Sequence, residues 1–445
     1  MHTLGTILFM LTIFVSSGLV FSSSAHATTI SERILTKNII KVTGVAEVYG
    51  DGEKISAAIL EYPGDVDPKS VSPANYVVEG KTIEAVYVNY NPEVIDKNRA
   101  GRYVILKFVN ENTAFDGELS KKPGGEKHQN RSRDGKDAPM RSDRKLPNLS
   151  LKVKQVGNIK GIDDTIYLEN NEVIESTSTT APIIESFQQY TYTDENGISM
   201  PYNLYLPKNY NKDKLYPLVV FIADASANIN EVTTPLFQGN GATSFATTEF
   251  QKKHECIILA PQYTADLIDE LGMMTTDENV WTPGLTLVSN LIFDVINNYN
   301  VDKSRIYGTG QSQGGMANIA ISDKYPDLFA AQYLVACQWN VDEMEALKNK
   351  NLWITVCEGD TKAFPGMNAA IERWESLGSN VAKNVEFWNS KESISQINKQ
   401  VKTMIKSNPN ANIYYTVFAG GNHMYTWSFA YNIDEIRDWL FKQKK

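Results

Sequence analysis

From residue 183 onward, short unbroken apolar runs recur at 218–222, 256–260, 305–308, 333–336, 352–356 and 413–417, each bounded by turn residues. A strand that is wet on one face alternates polar with apolar, whereas a continuous run suits a strand buried on both faces. Amphipathic stretches at 287–299, 315–324 and 433–442 separate the runs. This β-helix-β rhythm predicts an α/β domain, a mostly parallel sheet with helices on both faces. Tyr190-Thr191-Tyr192 and Tyr202-Asn203-Leu204-Tyr205-Leu206, around Glu195-Asn196-Gly197, predict an opening hairpin.

Residues 39–110 are written differently, as short alternating segments with turns such as Asp51-Gly52 between them, and predict an antiparallel β-sandwich. Strand character resumes at 151–153 and 165–168. The tract at about 111–147 is charged and Gly-rich with almost no large apolar residue, so it reads as a disordered insertion that cannot repay the entropy of ordering. Residues 176–180 read as a short linker. The 445 residues therefore divide into a sandwich at 28–180 and an α/β domain at 181–445, sizes at which each buries its own core.

Residues 4–21 form an apolar run, and Ala25-His26-Ala27 supplies the small-x-small pattern of a cleavage site, so 1–27 is expected to be a signal peptide removed after Ala27. Retention as an uncleaved anchor is the alternative. No second stretch of 18 apolar residues follows, and the mature chain is expected to be secreted without integral membrane association. A net charge of -9 gives no electrostatic reason to expect a nucleic-acid partner. Cys256, Cys337 and Cys357 lack C-x-x-C spacing and are expected as small buried residues.

The chemistry is signalled at Gly310-Gln311-Ser312-Gln313-Gly314, a G-x-S-x-G directly after a predicted buried strand and before a predicted helix. In that setting the pattern is a nucleophile elbow: Ser312 is pushed out at the carboxyl end of the sheet, and the Gln313 N–H is aimed where an oxyanion forms. A serine needs a base. His2 and His26 precede the expected cleavage, His128 lies in the charged tract and His254 in a polar helix end, which leaves His423 in Ala419-Gly420-Gly421-Asn422-His423. The carboxylate should lie between serine and histidine in the chain. Asp360, in Cys357-Glu358-Gly359-Asp360, is the expected third member and Glu358 the runner-up.

Taken together, Pro201-Tyr202-Asn203-Leu204-Tyr205-Leu206-Pro207, Leu259-Ala260-Pro261-Gln262, Gly308 to Gly315, Lys362-Ala363-Phe364-Pro365-Gly366-Met367 and Gly421-Asn422-His423 resemble the secreted α/β-hydrolase esterases that carry an N-terminal immunoglobulin-like domain. This group is also described as prolyl-oligopeptidase-like and related to polyester depolymerases and feruloyl esterases. The resemblance implies hydrolysis of small or polymer-linked carboxylic esters by Ser312, His423 and Asp360 through an acyl-enzyme, and since the sequence carries no metal-cluster, phosphate-loop or dinucleotide motif, no cofactor and no metal are expected. It leaves a peptidase with the same triad and a silent glycan-binding surface protein as rivals. For the β-domain it leaves polymer binding, cover of the site or homo-oligomerisation.

One departure bears on the oxyanion hole. The group usually carries His-Gly after its first long strand, whereas this chain reads Ile222-Ala223-Asp224-Ala225-Ser226. The Ala225 N–H is expected as the second donor, with Asp224 turned outward and only ordering the loop. Trp339 and Trp427 are expected to line the substrate pocket, whose shape is expected to be set by the loops at 228–241 and 267–283.

Overall fold

The computed structural model describes residues 34–35, 38–109, 146–170 and 172–445. The signal segment and most of the charged tract lie outside the described residues, as do the expectations that fall on them.

The first domain is a sandwich. Ser178–Thr180, Lys41–Tyr49, Gly52–Val66, Gly101–Phe108 and Ile83–Asn89 form one sheet in that order, and Ile174–Glu175, Lys152–Gln155 and Tyr76–Val78 form another. Alternate side chains meet between them, with Val42, Leu60 and Leu106 from one sheet packing with Tyr76, Val78 and Val153 from the other. Polar groups that this core takes in are paired, since the Tyr62 hydroxyl donates to Gln155 Oε1 at 2.9 Å and lies 3.0 Å from the Tyr76 hydroxyl. Residues 178–180 are a strand rather than linker, with Thr179 registered on Gly44 in parallel pairing. Two β-branched threonines beside an unpaired strand edge favour that pairing over a free connection.

The second domain holds nine strands: β1 (Gln188–Thr193), β2 (Ser199–Tyr205), β3 (Tyr216–Ile222), β4 (Ile257–Pro261), β5 (Val301–Gln311), β6 (Ala331–Val335), β7 (Leu352–Cys357), β8 (Val381–Lys383) and β9 (Ile413–Phe418). They lie in the order β1-β2-β4-β3-β5-β6-β7-β9-β8. The hairpin β1–β2 is antiparallel, β2 is antiparallel to β4, and the remaining pairs are parallel. The apolar runs divide their side chains between two cores. Leu218, Val220, Ile222, Ile354 and Val417 go to one face, and Val219, Phe221, Trp353 and Phe418 go to the other.

Helices cover both faces. On the first lie α2 (Pro283–Asn298), α3 (Gln313–Lys324) and α4 (Ala363–Ser376), and on the second α1 (Thr248–Lys253), α5 (Ile394–Ser407), α6 (His423–Ala430) and α7 (Asp434–Phe441). Their starts are written locally. Thr282 accepts from Leu285 N ahead of Pro283 at the head of α2, and Ser393 with Gln396 forms a capping box on α5. The register then aligns the strand ends, because Ile222 pairs with Gly310, Gly310 with Leu334, Val335 with Thr355 and Cys357 with Phe418. The loops after β3, β5, β6, β7 and β9 consequently open on one edge of the sheet, where α/β sheets hold their ligands.

Candidate active site

Ser312 stands between β5 and α3 with φ 51 and ψ −121, a left-handed conformation that costs an L-residue about 1–3 kcal/mol and is held here by packing on both sides. A Cβ on Gly314 would lie 1.8 Å from the Ile222 carbonyl oxygen, and one on Gly310 2.5 Å from the same oxygen. The two glycines of the motif thus admit β3 against the elbow, which no side chain would allow.

The other two members come from the ends of β7 and β9, whose turns pack backbone to backbone. Glu358 N donates to Phe418 O at 2.9 Å and Gly359 N to Gly420 O at 3.1 Å. A Cβ on Gly359 would fall 1.9 Å from Gly421 O, while Gly420 and Gly421 carry φ of 61 and 66. This contact brings Asp360 to His423. Asp360 is 1% exposed, and its Oδ1 accepts from Lys362 N at 3.0 Å and Ala363 N at 2.9 Å, at the head of α4. Its Oδ2 lies 2.6 Å from His423 Nδ1, and His423 Nε2 lies 2.8 Å from Ser312 Oγ. An ionised carboxylate only accepts, so Nδ1 carries the proton and Nε2 is free to accept the Ser312 hydroxyl hydrogen. Burial by itself raises the Asp360 carboxyl. The hydrogen bond and charge of His423, helped by the Ala363 and Lys362 N–H groups, override it and hold the group below the usual carboxylate range.

Glu358, the runner-up, points elsewhere and accepts from Gly420 N at 3.0 Å. His254 is taken up by Asp438, at 2.8 Å. Cys256, Cys337 and Cys357 are buried and free.

A cavity of about 710 Å³ opens above the serine and is lined by Ser312, His423, Gln313 and Ala225 together. Gln313 is the first residue of α3, and Ala225 the first of the 3-10 turn Ala225–Ala227. First-turn N–H groups have no partner within their own helix, so both candidate donors stand at positions suited to hold an anion. Ile268, Met273 and Met316 give the cavity an apolar wall, and Thr275, Gln338 and Lys362 a polar one. Met316 follows Ser312 by one helical turn and Lys362 follows Asp360 by two residues, spacings that could have marked both as neighbours of the site.

Four expectations need correction. Trp339 is 2% exposed, packs in the core and donates its indole N–H to Glu343, so it does not line the cavity. Trp427 is also absent from the lining. It sits one turn along α6 from His423 and packs edge-on against that imidazole, with ring centroids 5.2 Å apart. Asp224 is 3% exposed and turned inward rather than outward. Its Oδ1 accepts from Ser226 N at 2.7 Å, and its Oδ2 from Gln311 Nε2 at 2.9 Å and from Gln238 Nε2. It does order the loop, as the cap of the 3-10 turn that begins at Ala225. Of the two loops expected to shape the pocket, residues 267–283 contribute to the lining and residues 228–241 do not.

Among the described residues no three His, Cys, Asp or Glu side chains group to hold a metal ion, and no helix is long and apolar enough to cross a membrane.

Residues 41–168 match the family of esterase Ig-like N-terminal domains. Over 152 residues the chain is 24% identical to acetylxylan esterase A of Emericella nidulans, a stretch that covers 34% of this chain and 46% of that protein. The chain thus spans about half the length of the curated relative it matches. A crystal structure of a thermostable esterase is similar with a TM-score of 0.71 at 23% identity, over 92% of this chain and 100% of the other. At that identity the likeness shows the fold, and it takes in both domains. The expected architecture, an α/β-hydrolase domain behind an Ig-like sandwich, is the architecture of this chain.

Proposed function

We propose that the protein is an exported serine carboxylic-ester hydrolase that works through an acyl-enzyme. The observation that carries this reading is the continuous line from Asp360 Oδ2 through His423 to Ser312 Oγ, at 2.6 and 2.8 Å, beneath a cavity lined also by Gln313 and Ala225. His423 Nε2 takes the hydroxyl proton as Ser312 Oγ bonds to the ester carbonyl carbon. The carbonyl oxygen becomes an oxyanion between the Gln313 and Ala225 N–H groups, which lowers the barrier because these donors are already oriented. The imidazolium, stabilised by Asp360, returns the proton to the departing alcohol oxygen as the C–O bond breaks. Water then enters and gives a proton to the same Nε2 as its oxygen bonds to the acyl carbon, and Nε2 returns that proton to Ser312 Oγ as the bond from Oγ to the acyl carbon breaks.

The likeness to an acetylxylan esterase supports an ester carried on a polymer, and the Ile268, Met273 and Met316 wall supports an apolar contact for part of it. The leader ending in Ala25-His26-Ala27 supports export.

The test is turnover of p-nitrophenyl esters from acetate to octanoate by the mature protein beside Ser312→Ala. Activity that falls by about 10⁶ in the variant is expected. Equal rates from both chains would sink the proposal.

A further inference from the structure

We infer that the two glutamines flanking the nucleophile, Gln311 and Gln313, act with Asp224 and Asn228 as positioning residues that clamp the oxyanion loop to the elbow. The inference rests on the serine-hydrolase reading above. Gln311 ends β5 and Gln313 begins α3, so they leave the chain immediately before and after Ser312. Both side chains cross to the same short loop, one to each end. Gln311 Nε2 donates to Asp224 Oδ2 at 2.9 Å, and Gln313 Oε1 accepts from Asn228 Nδ2 at 3.0 Å. Ala225, the expected second oxyanion donor, lies between the two anchor points.

All four side chains are at most 4% exposed, so water does not compete for these bonds. The loop itself is a single 3-10 turn, closed by Ala227 N to Asp224 O at 3.0 Å and Asn228 N to Ala225 O at 3.2 Å. Fixing its two ends therefore fixes the Ala225 N–H as well. An oxyanion donor acts only within a few tenths of an ångström of the developing charge. The first donor, Gln313 N–H, moves with Ser312 because they are neighbours in the chain, whereas the second comes from a loop 87 residues earlier and needs a physical tie to the elbow. The glutamine pair is that tie, and the Asp224 carboxylate serves as its acceptor.

The Asn228 end gives the sharper experiment, because Gln313 Nε2 is buried without a hydrogen-bond partner. Asn228→Leu removes the donor and is expected to lower kcat on p-nitrophenyl acetate about 10- to 100-fold, short of the 10²–10³ that outright loss of one donor costs. KM should stay within about threefold, and binding of phenylboronic acid, which forms a tetrahedral adduct on the serine, should weaken in step with kcat. Asn228→Asp should recover most of the activity, since the Gln313 amide can rotate and donate Nε2–H to the new carboxylate. At the other end Asp224→Asn and Gln311→Glu should each lower kcat, and the double variant should restore it by exchanging donor and acceptor, with the Gln238 amide turned so that its Oε1 accepts from the new NH₂.

Wild-type kcat in Asn228→Leu, or losses that no paired or conservative change repairs and that follow the melting temperature, would overturn the clamp. Failure of the underlying reading looks different, because the wild-type protein would then show no Ser312-dependent turnover to begin with.

Discussion

Asp360 holds its neighbours with one oxygen each way, Oδ1 on the N–H groups of Lys362 and Ala363 and Oδ2 on His423. An asparagine there would keep its carbonyl on those N–H groups and turn its NH₂ toward Nδ1, which must then accept. The imidazole proton would move to Nε2, where it can no longer receive the serine hydrogen. Asp360→Asn is expected to cut kcat by about 10⁴ with little change in KM, as measured on p-nitrophenyl acetate. A loss of less than tenfold would show that the carboxylate does not set the tautomer. Ser312, His423 and Asp360 were legible in the sequence because each sits beside glycines that a tight turn requires, and turns are local. Asp224 was not. A carboxylate is expected in solvent by default, and the donors that bury this one lie 14 and 87 residues away in the chain. Trp339 and Trp427 misled for the same reason, since the side of a strand end or helix on which an indole packs is settled by neighbours remote in sequence.

Between elements, one buried charge ties α7 to α1. Asp438 meets His254 at 2.8 Å, just past the end of α1, and Lys253 within it. Burial raises the Asp438 carboxyl, but the hydrogen bonds and charge of His254 and Lys253 more than offset that and bring it down to about 2. A carboxyl depressed in the folded state contributes stability that is complete above its unfolded value near 3.9 and is lost as pH falls toward the folded one. The link contributes on the order of 1–2 kcal/mol at neutral pH. Asp438→Asn should therefore melt about 2–4 °C below wild type at pH 7, with the gap closing as pH falls from 4 to 2. A gap that stays constant across that range in thermal melts would remove the ion pair as its cause. The long strands of this domain were legible because five consecutive apolar residues admit few alternatives. The three-residue Ser178–Thr180 carries no such run, and its strand character comes only from the edge it meets.

At the scale of the whole molecule, the sandwich reaches the active site through the tip of one hairpin. Gly50, between Lys41–Tyr49 and Gly52–Val66, lies so close to α6 that a Cβ there would sit 2.0 Å from Ser428 O and 2.4 Å from Ser428 C. Across the tip, a Cβ on Gly239 would lie 3.1 Å from Gly50 O and 3.7 Å from Gln311 Nε2. One turn of the first domain thus touches the helix that begins with His423 and the residue next to Gln238, a partner of Asp224. Backbone atoms cannot rotate aside as a side chain can, so a larger residue at 50 must displace either the hairpin or α6. The hairpin belongs to the five-stranded sheet, whereas α6 is an eight-residue helix that enters through two left-handed glycines, which makes α6 the softer of the two. Gly50→Val is then expected to lower kcat tenfold or more through His423, while Val77→Ser, exposed on the other sheet, leaves kcat unchanged. Steady-state kinetics read beside the melting temperature decide the matter. If kcat holds and only stability falls, the hairpin has yielded and the two domains share a boundary without sharing the geometry of the site.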